Sequence, residues 1–162
     1  MARTPDPADA GKIRVTLRFY RVLAYVTGIF LLLLCAEIVL KYVFGYELEL
    51  NGANGFLALA PWAPDLPEQM TGTNLSTLVQ ITHGYVYLTY LVVSYLLVNW
   101  MRWPIMRFVL IALGGVVPLL SFFVEHRETK RVKAVLAQMD AQREAVAAAA
   151  AAPSSESGTG AE

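Results

Sequence analysis

Three apolar blocks dominate the chain, and the polar stretches between them differ from one another in kind. Val22 to Leu40 is nearly all apolar, no charge falls between Val79 and Met101, and Phe108 to Val124 is again apolar. A bilayer crossing takes about 20 mostly apolar residues, so the blocks predict helical spans over about 20–43, 78–101 and 105–125. Within the second block His83, Tyr87, Tyr90 and Ser94 follow at intervals of four, three and four, which places them on one helical face. Such a face is expected to look at protein rather than lipid.

The intervening segments complete an all-α reading: a membrane bundle of three transmembrane helices followed by a soluble amphipathic helix. Residues 1–18 read as a disordered, basic N-terminal tail, with Lys12, Arg14, Arg18 and Arg21 flanking the first span. A signal peptide is the rival reading, but the apolar run is too long and no small-residue cleavage site follows. The stretch 44–77, broken by Gly45, Gly52, Gly55, Pro61, Pro64, Pro67 and Gly72, reads as a long loop. Within it Phe56, Leu57, Leu59 and Trp62 are too few to span and suit an interfacial turn. Asn74-Leu75-Ser76 fits a glycosylation acceptor, though a chance match is the better reading. Trp100, Arg102, Trp103, Pro104 and Arg107 mark a tight interfacial hairpin between the second and third spans, and Pro118 predicts a kink in the third. Val132, Val135, Leu136 and Met139 carry helical spacing through 128–152, and Pro153 to Glu162 reads as a disordered tail.

Composition narrows the classes. Of 162 residues, 56% are hydrophobic and 16% charged, and thirteen Lys and Arg balance thirteen Asp and Glu. No global charge favours nucleic acid, and the basic residues gather at block ends as membrane flanks do. The single cysteine, Cys35, lies in an apolar run and forms no intrachain disulfide. The partners expected are the lipid bilayer and another membrane protein or a second copy. Because the 44–77 loop holds no Lys or Arg, it is assigned outside and the N-terminus to the cytoplasm. With three crossings, the C-terminal tail is then expected outside, and the basic residues after Arg127 run against that assignment.

Three spans would bring the end of the first, the start of the second and the end of the third to one side of the bilayer. Glu37, Lys41, His83, Glu125, His126 and Arg127 would gather there, above Tyr87 and Tyr90. The first reading of this candidate polar cluster is a structural clasp, with Glu37 paired to Lys41 four residues on and His83 bonded to Glu37 or a tyrosine. A proton relay through His83, or a metal site built from His83, His126, Glu37 and Glu125, are the sharper alternatives. No catalytic constellation, phosphate loop or cofactor motif is visible. The functional expectation is a helix-packing interaction or assembly subunit. The alternatives are a small transporter or channel component using the His83 face, and a membrane-embedded enzyme.

Several of these residues carry a resemblance. Leu40-Lys41-Tyr42 closing the first span, His83-Gly84 with Tyr87 and Tyr90, Arg102-Trp103 in the turn, and Pro118 followed by Phe122, Phe123, Glu125 and Arg127 together resemble small bacterial integral membrane proteins of the YdzA-like domain-of-unknown-function family. The resemblance covers roughly residues 19–127. It implies three spans in a bacterial inner membrane and no assigned activity. Two departures are visible: Thr27-Gly28 stands where the family has a Glu-Gly pair, and the first loop is longer here.

Overall fold

Ala10, Ile13, Leu17, Tyr20, Ala24 and Thr27 are spaced three, four, three, four and three apart, and all six are buried. That alternation is the seam of a knobs-into-holes helix pair, and it organises the first helix of the computed structural model, which describes residues 5–62, 71–117 and 119–151. Helix α1 spans Ala10–Phe44. It is preceded by a 3₁₀ turn at Pro7–Asp9, where Asp6 accepts the Ala8 N–H at 2.9 Å. Ordered structure therefore begins well inside the stretch 1–18 read as a disordered tail. The reason is that Ala10, Ile13 and Leu17 extend the buried seam below the apolar block, against Val132, Leu136 and Met139. Residues 1–4 and 152–162 lie outside the described residues, as do Pro64, Pro67 and Pro118.

Helix α1 ends where Gly45 adopts φ 73° and its N–H bonds back to the Lys41 carbonyl at 3.2 Å, a left-handed cap that a side chain would strain. The expected loop then proves to be a small antiparallel sheet. Strand β1 (Tyr46–Gly52) pairs with β2 (Gly55–Pro61) on one side and with the two-residue β3 (Thr73–Asn74) on the other. The period-two alternation Tyr-Glu-Leu-Glu-Leu carries this strand, and Asn51 with φ 56° turns it toward the return strand. Asn74 caps the next helix by accepting the Thr77 N–H at 3.1 Å, and its amide reaches Glu47 at 3.3 Å. The asparagine of the chance glycosylation match is thus a helix cap.

Helix α2 (Leu75–Trp100) returns antiparallel to α1, with Lys12 over the Trp100 ring at one end and the stacked rings of Tyr20 and Tyr90 midway. The third apolar block does not form one span. Helix α3 (Ile105–Gly114) stops after ten residues, and α4 (Leu120–Ala151) begins beyond a turn in which Leu119 has φ 67°. At 1.5 Å per residue α3 rises only about 15 Å, half of a hydrocarbon core about 30 Å thick. Helix α4 then turns back. Its Ser121, Glu125, Asp140 and Arg143 meet Ala24, Arg21, Arg14 and Pro7 of the N-terminal segment in that order, so rising numbers on α4 match falling numbers on α1. Helices α3 and α4 form a hairpin that enters and leaves at the same end of the bundle. The start of α1 and the end of α4 therefore share an end, which corrects the expectation of three spans with opposite tails. The separate amphipathic helix over 128–152 is likewise the continuation of α4. Among the described residues, α1 and α2 are the helices long and apolar enough to cross a membrane.

Candidate functional site

The polar residues on the inner faces of α1, α2 and α4 form the site that sequence reasoning anticipated, but not in one group. Glu37 and Lys41 stand in the last quarter of α1, whereas Glu125 is bonded to Arg21, about a third of the way along it. Sixteen residues of helix separate those two places, about 24 Å along the axis. His126 and Arg127 are exposed on α4. Glu37 and Glu125 of the postulated metal site are therefore apart, and among the described residues no three His, Cys, Asp or Glu side chains meet as a metal site would require.

At the strand end, Lys41 pairs with Glu47 of β1 rather than with Glu37 and lies 4.7 Å from the centroid of the Trp62 ring. Helical spacing alone had favoured Glu37. The buried Glu47, 4% exposed, brings the nearer carboxylate from a strand whose existence the loop reading did not include. Glu37 itself lines a crevice of about 250 Å³ with Leu34, Ile38, Ser76 and Gln80, and its Oε2 is buried without a partner among the described residues. His83 Nδ1 is likewise buried and unpartnered, while the imidazole lies parallel to the Tyr87 ring at 6.0 Å. Among the described residues no hydrogen bond joins Glu37 to His83, and His83 stacks on Tyr87 instead.

Tyr87 and Tyr90 supply the central chemistry. A helix end leaves its last four carbonyls without intrahelical donors, and the break after Gly114 creates such an end inside the bundle. Tyr90 donates from its hydroxyl to the Ile111 carbonyl at 2.8 Å, and Tyr87 donates to the Ala112 carbonyl at 3.1 Å. On the other arm of the hairpin the Ser121 hydroxyl donates to the Ala24 carbonyl at 2.9 Å. The tyrosine face of α2 therefore closes the end of the broken helix. His83, Tyr87, Tyr90 and Tyr20 stack in succession at 5.8 to 6.1 Å along this seam.

Two glycines permit the close approach. A side chain on Gly115 would overlap the Tyr87 ring, and one on Gly28 would stand 2.9 Å from the tip of Phe122. Thr27 and Gly28 thus form the seat for the hairpin on α1, with Thr27 fully buried. Below them Glu125, 2% exposed, accepts from Arg21 Nε at 2.9 Å and from the Thr129 hydroxyl at 3.0 Å. Tyr20, Thr27, Gly28, Arg21 and Glu47 were not assigned to the site from the sequence: Thr27-Gly28 entered only as a departure from the resembled family and Arg21 only as a flank of the first span. The three-four spacing from Ala10 to Thr27 was the available signal for Tyr20 and Thr27.

Comparison with known proteins places this arrangement. Residues 17–130 match the model of a domain of unknown function, DUF3817. The chain is similar to uncharacterized proteins of Mycobacterium bovis and Mycobacterium tuberculosis, each 34% identical over 134 residues, which is 82% of this chain and 90% of each relative. An uncharacterized protein of Mycobacterium leprae is 35% identical over 131 residues, 81% of this chain and 86% of that protein. No solved structure matches.

Proposed function

The chain belongs to the DUF3817 family, and we propose that it is an integral protein of the bacterial plasma membrane that works as a helix-packing interaction or assembly subunit. Its helices α1 and α2 cross the bilayer, the α3–α4 hairpin re-enters from the cytoplasmic side, and the sheet stands outside. The likeness to YdzA-like membrane proteins points the same way. The observation that carries this reading is the inversion of polarity. Phe19, Val22, Val92 and Leu110 are 54% to 62% exposed, while Tyr87, Tyr90, Ser121 and Glu125 bond to the chain's own elements. A surface apolar outside and polar within suits lipid.

Charge supports the orientation. Lys12, Arg14, Arg18, Arg21, Arg102, Arg107, Arg127, Lys130, Arg131, Lys133 and Arg143 all belong to the end of the bundle that holds the start of α1 and the end of α4, or to the half nearest it. Lys41 is the one Lys or Arg at the sheet end among the described residues. The re-entrant course removes the objection raised by the basic residues after Arg127, since they join the cytoplasmic set. A reporter active only outside the cytoplasm is expected to work at Asn54 and a cytoplasmic reporter at Ala151. An external signal from Ala151 would overturn the orientation.

No catalytic role is proposed: the hydroxyls of Tyr87 and Tyr90 and the carboxylate of Glu125 are engaged with structural partners. A second reading, a transporter or channel component, rests on the unpartnered Glu37 and His83. Co-purification in mild detergent with mass spectrometry separates the two: a stoichiometric heterologous membrane partner supports the assembly subunit, and a homo-oligomer without one favours the channel.

A further inference from the structure

The sheet is built with its acids inward and its leucines outward. Glu47 and Glu49 are 4% and 1% exposed. Glu47 is paired with Lys41, and Glu49 accepts N–H donors from Thr71, Gly72 and Asn54 at 3.0 to 3.3 Å. Because side chains alternate along a strand, Leu48 and Leu50 point the other way, opposite Leu59 and Leu57 of β2 in register. Leu57 and Leu59 are more than half exposed. From Tyr46 to Pro61 the ribbon's only charges are the two inward acids, so its outer face is neutral and apolar. An ordinary water-facing ribbon has the opposite polarity.

The ribbon also grows directly out of the lipid-facing end of α1. Tyr42, Val43 and Phe44 are 63% to 70% exposed, and β1 starts two residues after Phe44. The far end of β2 returns to the same point: Trp62 donates its N–H to the Gly45 carbonyl at 2.8 Å and meets the Tyr42 ring edge-on at 5.1 Å. Tyrosine, tryptophan and a lysine stem together are the residues that occupy the membrane–water interface. The apolar face of the ribbon is continuous with this anchor.

From these observations we infer that the β1–β2 ribbon is a membrane-binding element whose Leu48, Leu50, Leu57 and Leu59 face enters the outer-leaflet interface of a phospholipid bilayer. Burial of Glu47 and Glu49 is what makes this possible, since it removes the charges that would hold the ribbon in water. The inference rests on the membrane reading above.

The test uses the full chain, with Cys35→Ser as background, in phosphatidylglycerol and phosphatidylethanolamine vesicles. A nitroxide is attached at Leu57→Cys, Leu59→Cys, Ala53→Cys at the ribbon tip, or Val92→Cys on α2. Collision with oxygen is compared with collision with a water-soluble nickel chelate present on both sides. Residues 57 and 59 are expected to show an oxygen-to-chelate ratio well above that of residue 53. If residue 92 is oxygen-rich while 57 and 59 match 53, the ribbon stands in water and the inference falls with the membrane reading intact. If residue 92 is also chelate-rich, the membrane reading itself fails. Dipolar broadening at 57 that disappears on dilution with unlabelled protein identifies a second copy on this face, which also overturns lipid as its occupant.

Discussion

Tyr90 donates a buried hydrogen bond across the bundle to Ile111, whose carbonyl belongs to the last turn of a helix that stops midway. The hairpin can end there because this hydroxyl supplies the Ile111 carbonyl with the donor its helix no longer provides, while Tyr87 adds a second donor to the Ala112 carbonyl, which also accepts the Gly115 N–H at 3.0 Å. Tyr90→Phe keeps the ring stack on Tyr20 and removes only the bond. Unfolding in mixed micelles should show a loss of about 0.6 kcal/mol and seldom above 1.7, the range of interhelical hydrogen bonds in membranes. An unchanged stability would mean that the Ile111 carbonyl finds another donor.

Gly115 sits where Tyr87 crosses the hairpin turn. Gly115→Ala should destabilise by roughly 1–3 kcal/mol, the usual cost of overpacking, since its Cβ overlaps the ring. Adding Tyr87→Leu should recover part of that loss, and the double-mutant cycle measures the coupling. Full additivity would place the strain elsewhere.

The ion pair between Arg21 and Glu125 joins α1 to α4. Arg21 is 43% exposed and Glu125 2%, so Arg21→Ala leaves a buried carboxylate short of its cation. The cost should lie near or below the lower end of roughly 3–5 kcal/mol, because water reaches the arginine side. Arg21→Met with Glu125→Leu should be milder than Arg21→Ala alone. Denaturant midpoints of the three variants decide it.

Glu49 makes the sheet sensitive to acid. The Thr71 N–H above all, with those of Gly72 and Asn54, holds its carboxyl below the usual glutamate range, against the opposing effect of desolvation. A carboxyl depressed in the folded state contributes stability that is complete above its unfolded pKa and lost as pH falls through the folded value. Proteolysis at the ribbon tip should therefore stay slow at neutral pH and accelerate only below the ordinary glutamate range. Glu49→Gln should flatten that pH dependence. A variant with the wild-type profile would assign the acid transition to another group.

The periodicity of the sequence determined the two long apolar helices, the inward tyrosine face and the short connection between Trp100 and Ile105. These follow from local spacing and composition, and any partner would have to respect them. Tertiary structure alone decided the direction of α4, because an apolar block of seventeen residues reads the same whether it crosses or turns back. What separates the two is whether side chains elsewhere can take up a carbonyl freed at the break, and Tyr90 does so for Ile111 from another helix. The partner of Lys41 was decided in the same way. Glu37 is the nearer acid along the helix, but Glu47 is nearer in space once Gly45 turns the chain into a strand. The acids of β1 could not be placed inward from their own alternation, since an alternating strand does not say which of its faces is covered. The N–H groups of Thr71 and Gly72, more than twenty residues away, settle that for Glu49.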